Sequence, residues 1–580
     1  MEDASEMARL PLKKQPRLVP ATQGVVCKQV ERKQFPVNPS IRLIEVVVPP
    51  PDNTHTLGDL ERLTAALAQS SGLEPDVGIE VLASLQAKLR ANGWRVTCVI
   101  RLGDQRRNPE LIDIWPGTTA PVACGIAVDI GSTTIMAYLC DLATGDVLAA
   151  AEIVNPQVTY GADVMTRVSH SMMHPGTHLD MTAAVRDGVR QLVGHLTANC
   201  GVPADHVLDA TVVCNPIMHH LYLGFDPVEL GQAPFTFATS NALRVAARDV
   251  GLPIHARAQV YLLPAVGNHV GADAAAVLLS ETPEASKALS LIVDIGTNAE
   301  IFLGNASGIV ASSSPTGPAL EGAEITHGQR AAPGAIETVR IDPVSKRIRF
   351  RVIGSEVWSD DPAFAASISD IGVTGICGSG VIELVAEMRM AGLIDQTGRI
   401  GSPEETGCAQ CFLDGRTYSV SLYDAANICF TNNDVREVQM AKAALYASIR
   451  LLMDESAVQT VDRIVLAGAF GSHISPKHAI VLGLIPDCAF DKVTAVGNAA
   501  GSGACMALLD VSARHRIEGA VRTIRNIETA THPSFQKYFL NASDIPNAAD
   551  PFPCLATHLA LPDLDFRKRS SRQRTRHQAS

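Results

Sequence analysis

Two copies of one short motif contain residue types that bind phosphate groups. Residues 125–139 read GIAVDIGSTTIMAYL and residues 291–303 read LIVDIGTNAEIFL, so each apolar run ends in Asp-Ile-Gly followed by hydroxyl or amide side chains. A glycine at such a turn lets the backbone approach a phosphate closely, and neighbouring N–H and hydroxyl groups donate to its oxygens. An aspartate at the strand end can hold Mg²⁺ through water, because Mg²⁺ keeps several waters and takes few carboxylates.

The repeated motif predicts two phosphate-binding hairpins. Asp129 and Asp294 are, together with Glu321, the predicted catalytic residues, and the two aspartates are predicted to hold Mg²⁺ through water. The other predicted phosphate contacts are Gly131, Ser132, Thr133 and Thr134 in the first hairpin, and Gly296, Thr297 and Asn298 in the second. One isolated copy is equally typical of a tight β-turn, whereas two copies indicate a duplicated domain with a cleft between the halves.

A third element lies further along the chain, where an apolar strand enters a glycine turn. Residues 463–471 read RIVLAGAFG, and we predict that Gly468, Ala469, Phe470 and Gly471 receive adenine and ribose against bare backbone. A glycine-rich turn alone is weak evidence for a nucleotide site. The order of two phosphate hairpins followed by this turn makes the prediction more specific.

Two other turns have both a functional and a structural interpretation. In residues 316–322, TGPALEG, we predict that Gly317 and Glu321 face the cleft and that Glu321 approaches the γ-phosphate or its metal. The alternative is a loop that only leads into a helix. Gly378, Ser379 and Gly380 precede an apolar helix, where they either present N–H groups to an anion or cap the helix.

Hydrophobic periodicity predicts the elements that must position these residues. Helical spacing over 57–67 and 77–91, with a strand over 94–100, predicts a small α+β module at 39–120. From residue 125 onward, strands ending in Gly, Ser and Thr turns alternate with Ala-rich helices, which is typical of α/β layers. We predict one unit over 121–285, a second over 286–545, and disordered tails at 1–38 and 546–580, the last of these basic.

Charge and hydropathy exclude several classes of function. The chain has 48 basic and 60 acidic residues, a formal charge of −12, which disfavours nucleic acid as a partner. We find no secretory signal and no apolar stretch of membrane-spanning length, so we expect a cytoplasmic protein without membrane association.

The cysteine pattern predicts reduced thiols. The 13 cysteines are scattered and odd in number, which does not suggest a disulfide framework. Cys408 and Cys411 form one C-x-x-C pair, but two further ligands at comparable spacing are missing for a zinc or iron–sulfur site. We therefore predict no iron–sulfur cluster in this chain, and a loop at this pair.

The order of hairpin, hairpin and adenosine turn resembles the superfamily of acetate and sugar kinases, heat-shock chaperones and actin. That resemblance implies an α/β fold with two ribonuclease-H-like domains around a cleft that holds ATP and Mg²⁺ and closes with nucleotide state. Fold alone does not identify the task to which ATP is coupled.

A second resemblance, over about residues 35 to 550, is narrower. Several stretches look like the reductive activators of corrinoid (cobalamin) proteins, among them Tyr160-Gly-Ala-Asp-Val-Met165, Cys214-Asn-Pro-Ile-Met-His219, Ser314-Pro-Thr-Gly-Pro-Ala-Leu-Glu-Gly322, Phe430-Thr-Asn-Asn-Asp-Val-Arg436 and Gly497-Asn-Ala-Ala-Gly501. The resemblance implies that ATP hydrolysis drives reduction of an inactive Co(II) corrinoid to Co(I). It also implies a methyltransferase-system corrinoid protein as partner, and a homodimer.

The chain departs from that family's pattern in its N-terminal part. Many members have a domain that holds a 2Fe-2S cluster through several cysteines, and here the N-terminal segment offers Cys27 alone. Electrons would then come from a separate ferredoxin or flavoprotein. Three alternatives stay open: an ATP-dependent clamp for corrinoid enzymes, a small-molecule kinase of the same fold, and an activator of radical dehydratases with Cys377 as a cluster ligand.

Overall fold

The computed structural model describes residues 25–28, 35–52, 57–91, 93–103, 107–117, 122–267, 269–468, 474–529 and 531–566. The N-terminal part contains β1 (Val26–Lys28), β2 (Ile41–Val47), α1 (Asp59–Ser71), β3 (Asp76–Val77), α2 (Ile79–Ala91), β4 (Arg95–Arg101) and β5 (Glu110–Pro116). Strands β2 to β5 form a sheet in the order β2-β4-β5-β3, and both helices pack on it through leucine and valine side chains. The helices and strands predicted for this module are therefore present.

The next unit carries the first predicted hairpin. It contains β6 (Cys124–Ile130), β7 (Thr134–Asp141), β8 (Val147–Val154), α3 (Val164–Met173), α4 (His178–Cys200), β9 (Val207–Cys214), α5 (Pro216–Leu223), β10 (Leu243–Ala246), β11 (Gln259–Leu262) and α6 (Ala272–Glu281). The sheet has the order β1-β8-β7-β6-β9-β11-β10. Every residue of β9 is buried, because helices cover both faces of the sheet at its centre.

The last unit carries the second hairpin and the glycine turn. Its strands are β12 (Ser290–Ile295), β13 (Ala299–Asn305), β14 (Gly308–Ser314), β15 (Ala335–Ile341), β16 (Ile348–Val352), β17 (Gly375–Ile376), β18 (Cys411–Asp414), β19 (Thr417–Tyr423), β20 (Ile428–Thr431), β21 (Arg463–Ala467), β22 (Val493–Ala495) and β23 (Arg525–Asn526). Its helices are α7 (Phe364–Ser367), α8 (Gly378–Ala391), α9 (Pro403–Thr406), α10 (Asn432–Glu455), α11 (Pro476–Leu482), α12 (Ala499–Leu509), α13 (Val511–Ala520), α14 (Phe535–Ala542) and α15 (Pro553–His558). The main sheet has the order β22-β21-β12-β13-β14-β23.

The two main sheets repeat one arrangement. In each, the strand that carries the aspartate pairs antiparallel with the next strand and parallel with a later one: β6 with β7 and β9, and β12 with β13 and β21. Helices α6 and α12 lie between the sheets in one apolar cluster that includes Ala127, Phe302 and Val465. The predicted α/β fold with two related domains is confirmed.

The structure differs from the prediction at both tails. Residues Val26–Lys28 pair with β8, and Asn38 bridges to Asp510 beside α13. These parts of the N-terminal segment are thus bonded to both of the larger units.

Residues 546–566 lie on the last unit, so the disordered tail predicted from residue 546 is wrong for them. Buried Lys442 donates to the carbonyl of Pro546 (2.6 Å), Arg389 donates to that of Pro562 (2.7 Å), and Phe566 is fully buried. Carbonyls at these positions bond to side chains from distant helices, a pattern that local composition does not reveal. The basic run after residue 566 lies outside the described residues. In the part of the chain that is described, no helix has the length and apolarity to cross a membrane.

A buried histidine between two glutamates predicts pH-dependent stability. In α11, His478 Nε2 lies 2.9 Å from Glu387 Oε1, and its Nδ1 lies 3.4 Å from Glu383 Oε1. Burial alone would lower the pKa of His478, but the two glutamates outweigh it and raise that pKa above its ordinary value. His478 therefore contributes fully to the free energy of unfolding below its pKa in the unfolded chain, about 6.5. That contribution is lost as the pH rises through its pKa in the folded protein.

We expect His478→Gln to lower the free energy of unfolding by about 3 kcal/mol at pH 6, and by less at pH 9, because breaking a buried ion pair leaves an uncompensated charge. Urea denaturation at both pH values measures this, with exposed His515→Gln as the matched control. A loss that is equal at both pH values would contradict the ion-pair explanation.

Candidate functional site

The first hairpin is a tight turn whose backbone is fixed from outside. The Gly131 N–H donates to the Thr134 carbonyl at 2.9 Å, and a Cβ built on Gly131 would lie 2.7 Å from that oxygen. The Asn155 side chain donates to the Gly131 carbonyl at 2.8 Å, while its backbone N–H donates to Thr133 at 2.9 Å. The turn therefore requires glycine, and neighbouring groups hold its carbonyls.

Arg167 of α3 also supports this turn. Its guanidinium donates to the Ser132 carbonyl, to the Gly161 carbonyl (3.0 Å) and to Gln157 Oε1 (3.2 Å). The side chain is fully buried, and this burial lowers the pKa of Arg167 to about 10. Arg167 therefore fixes the hairpin to α3 through neutral acceptors.

The second hairpin is held in a similar way. The Gly296 N–H donates to the Asn298 carbonyl at 3.1 Å, and Thr316 Oγ1 donates to the carbonyls of Gly296 (3.1 Å) and Thr297 (3.0 Å). Thr297 Oγ1 donates to Glu321 Oε1 at 2.8 Å. Burial raises the pKa of Glu321, which lies beside the hairpin and accepts from one of its hydroxyls.

The predicted aspartates belong to a larger group of half-buried carboxylates. Burial raises the pKa of Asp129 to about 6, and burial together with the charge of Asp129 raises that of Asp294 to about 7. Asp273, in the first turn of α6, and Glu300, in β13, interact with these aspartates. Burial and the neighbouring acids raise the pKa of Asp273 to about 7 and that of Glu300 well above its ordinary value. Such a group favours binding of a divalent cation, which relieves the mutual repulsion.

A side chain from the far end of the chain orients Asp129. Asn498 Nδ2 donates to Asp129 Oδ2 at 2.8 Å, and Asn498 Oδ1 accepts from the Gly501 N–H at 2.6 Å at the start of α12. The same amide therefore caps α12 and holds a hairpin carboxylate of the other unit.

The glycine turn after β21 reaches the second hairpin. Gly468 has φ +112°, and a Cβ there would lie 2.3 Å from the Ile295 carbonyl and 3.2 Å from Asp294 Oδ1. The predicted contacts Ala469, Phe470 and Gly471 lie outside the described residues. Gly317 has φ +71° and open space where a Cβ would be.

The start of α8 is packed closely against the Glu321 loop. A Cβ on Gly378 would lie 2.3 Å from the Leu320 carbonyl, and one on Gly380 would lie 2.2 Å from the Ile336 carbonyl. Ser379 is buried, with its hydroxyl 3.3 Å from Cys377 Sγ. These contacts favour the structural interpretation for Ser379 and Gly380, whereas Gly378 adjoins Glu321.

The residues present fit a magnesium nucleotide. Two glycine turns offer bare backbone, and among the described residues no hydrogen-bond donor engages the Asp294 carboxylate. In that part of the chain, no three His, Cys, Asp or Glu side chains converge closely enough to form a metal cage by themselves. This agrees with Mg²⁺ held mainly through waters and phosphates.

The neighbouring histidines 219 and 220 and the C-x-x-C pair are of residue types that bind metals, but other contacts engage each pair. Burial lowers the pKa of both His219 and His220 to about 4, so they are neutral, and His220 Nε2 accepts from the Ala238 N–H at 3.0 Å. Cys408 and Cys411 are buried in the last unit, where Thr406 donates to Cys411 Sγ at 3.6 Å.

Sequence reasoning missed Asp273, Glu300 and Asn498 as members of the site. One signal existed for Glu300, because the register of the second hairpin places it directly opposite Asp294. Asn498 stood in a stretch that resembles the activator family, but its contact with Asp129 depends on the packing of α12.

The fold and site define a class of proteins in which two related α/β units enclose a nucleotide cleft. Family models match consecutive parts of the chain: the RACo linker region at 30–121, the RACo middle region at 124–283, and the C-terminal domain of RACo, the ASKHA domain, at 288–556. ASKHA denotes the superfamily of acetate and sugar kinases, heat-shock chaperones and actin.

Individual relatives agree with these matches. The corrinoid activation enzyme RamQ of Eubacterium limosum is 31% identical over 431 residues, which cover 72% of this chain and 70% of RamQ. A Methanosarcina barkeri protein named Co(II) methylated amine-specific corrinoid protein reductase is 25% identical over 444 residues, which cover 72% of this chain and 76% of that protein. The solved structure of a reductive activator for corrinoid, iron-sulfur protein has a TM-score of 0.79 and 29% identity, covering 90% of this chain and 82% of that chain. This chain belongs to the family of reductive activators of corrinoid proteins, and it is an enzyme.

Proposed function

We propose that this chain hydrolyses ATP to drive reduction of a Co(II) corrinoid protein of a methyltransferase system to the Co(I) state. The observation that carries the proposal is the group of four half-buried carboxylates at the two glycine hairpins, in a chain whose relatives are named for corrinoid activation and Co(II) corrinoid protein reduction. The electrons come from a separate ferredoxin or flavoprotein. A homodimer is the working assembly that the family resemblance suggests.

The chain's own residues divide the work of ATP hydrolysis. The hairpin N–H and hydroxyl groups orient the phosphates, Asp129 and Asp294 hold the waters of Mg²⁺, and Glu321 is kept at the second hairpin by Thr297. When bound, Mg²⁺ neutralises phosphate charge and thereby assists attack by water. Asp273 is close enough to interact with both aspartates and has a raised pKa, so it is a suitable acceptor for the proton of that water.

Hydrolysis can change the relation between the two units because the Asn498 side chain links them at the site. Asn498 joins Asp129 to α12, and α12 packs on α6 in the cluster between the sheets. A change at the hairpin on loss of the γ-phosphate thus reaches the helices between the units. Coupling to the corrinoid protein requires that the two nucleotide states bind this partner with different affinity.

An anaerobic visible-absorption assay tests the proposal. A Co(II) corrinoid protein from the same cell is mixed with a low-potential reductant and this protein, with or without Mg-ATP. We expect the Co(I) spectrum when both the protein and ATP are present. If ATP is hydrolysed and the partner is bound but no Co(I) forms, the protein acts as an ATP-dependent clamp and does not drive reduction. Hydrolysis stimulated by a sugar or carboxylic acid in the absence of protein would indicate a kinase.

A further inference from the structure

The nucleotide cleft has a charge imbalance. Asp129, Asp273, Asp294 and Glu300 interact with one another, and the nucleotide adds the charge of its own phosphates. Mg²⁺ offsets part of this, but proteins that transfer phosphoryl groups commonly add a cationic side chain at the terminal phosphate. Arg167 does not fill this role, because its guanidinium is directed at carbonyl and amide oxygens.

Arg330 lies next to the second hairpin. Glu321 bonds to Thr297, and its Oε1 lies 4.0 Å from the position of a Cβ built on Gly296. The next residue, Gly322, packs against the residue that precedes Arg330: a Cβ on Gly322 would lie 2.7 Å from the Gln329 carbonyl oxygen. The Arg330 side chain therefore branches from the backbone directly beside the loop that carries Glu321.

The charge of Arg330 acts on both sides of the cleft. It favours the ionised form of Glu321, at the second hairpin, and it opposes the charge of Arg167, which holds the first hairpin. Its side chain is exposed, and no hydrogen bond or salt bridge engages it within the described part of the chain. A guanidinium in this place is available to an anion that enters between the hairpins.

The backbone around Arg330 is fixed although its side chain is not engaged. The Gln329 N–H donates to the Ile376 carbonyl at 2.9 Å, and the Ile376 N–H donates to the His327 carbonyl at 2.8 Å. Asp434 Oδ1 accepts from both the N–H (2.8 Å) and the hydroxyl (2.9 Å) of Thr326. These contacts fix the backbone position from which the Arg330 side chain extends, so that contact with a bound phosphate needs only a change of side-chain rotamer.

We propose that Arg330 contacts the terminal phosphate of bound ATP and stabilises the charge that develops during hydrolysis. In this step water attacks the γ-phosphorus, the bond from that phosphorus to the β–γ bridging oxygen breaks, and ADP, inorganic phosphate and a proton are released. The inference rests on the proposed ATP hydrolysis and assigns a catalytic residue to it.

The test compares Arg330→Ala, Arg330→Lys and the control Arg416→Ala, which removes an exposed arginine from the turn between β18 and β19. Steady-state hydrolysis of Mg-ATP is measured without any protein partner. We expect kcat of Arg330→Ala to fall by about 10²- to 10³-fold with a much smaller change in KM, Arg330→Lys to keep part of the rate, and Arg416→Ala to match the wild type.

Two further measurements separate catalysis from a structural effect. Guanidinium ion at low millimolar concentration should restore part of the Arg330→Ala rate, whereas the same concentration of sodium chloride should not. Binding of Mg-ADP with aluminium fluoride, which resembles the transferring phosphate, should weaken far more than binding of Mg-ADP alone.

A kcat for Arg330→Ala within twofold of the wild type would overturn this assignment and leave the proposed function intact. Normal hydrolysis combined with lost binding of the corrinoid protein would also overturn it, and would make Arg330 a partner contact. A wild-type protein without any ATP hydrolysis would overturn both the assignment and the proposed function.

Discussion

Replacing Asp294 by asparagine is expected to lower the ATP turnover rate by about 10²- to 10³-fold and to leave the nucleotide-free protein at least as stable as the wild type. The loss of turnover follows from the role proposed for this carboxylate, which is to hold the waters of Mg²⁺; bound Mg²⁺ contributes several kcal/mol to stabilising the transition state. Asp129→Asn should act in the same way, although its remaining amide oxygen can still accept from the Asn498 amide.

The stability expectation follows from the sign of the pKa shift. Burial raises the pKa of Asp294 to about 7, so between pH 4 and 7 the folded protein binds more protons at this group than the unfolded chain does. Stability contributed by this residue therefore decreases as pH rises through that interval. An asparagine, which cannot ionise, removes the penalty at neutral pH.

Parallel measurements of ATP hydrolysis and of urea denaturation check the expected turnover and the expected stability. Added Mg-ATP should stabilise the wild type far more than Asp294→Asn. Asp205→Asn, at an exposed position outside the cleft, is the control and should leave both quantities unchanged. Normal turnover in Asp294→Asn and Asp129→Asn would contradict the site assignment. A large loss of stability would instead mean that the carboxylates support the fold.

The parts of the site that sequence predicted are those whose chemistry is local. A strand, an aspartate, a glycine and a run of hydroxyl side chains make a hairpin wherever they occur, so both turns could be found without knowledge of the rest of the chain. The duplication could be recognised for the same reason. Both sheets then place the aspartate strand beside a parallel neighbour, as two related domains require.

The parts that sequence missed depend on contacts between distant segments. Asp273 reaches the cleft because α6 begins between the two sheets, and Asn498 reaches Asp129 because α12 packs on α6. Hydrophobic periodicity along the sequence predicts neither of these two contacts. The C-terminal segment shows the same limit: residues 546–566 carry little regular structure, and the buried Lys442 and Arg389, more than 100 positions earlier, bind their carbonyls.

The close crossing of α12 and α6 leads to the second large effect. A Cβ on Gly503 would lie 2.0 Å from the Ala276 carbonyl oxygen, and the obstructing atoms belong to helix backbone, which cannot rotate away. We expect Gly503→Ala to lower the free energy of unfolding by about 1–3 kcal/mol, because overpacking forces the helices apart. Separation of α12 from α6 also shifts Asn498, so ATP turnover should fall even though Gly503 does not contact the nucleotide.

Gly194→Ala in α4 is the matched control, since a Cβ at Gly194 meets nothing within 4 Å. Alanine is the better helix former, so this variant should be more stable than the wild type by about 0.5–1 kcal/mol. We therefore expect urea denaturation to show that the same Gly→Ala change lowers the free energy of unfolding in one variant and raises it in the other. Equal shifts would mean that α12 and α6 are not in backbone contact. If Gly503→Ala is destabilised but keeps full turnover, the path from α12 through Asn498 to Asp129 does not govern hydrolysis.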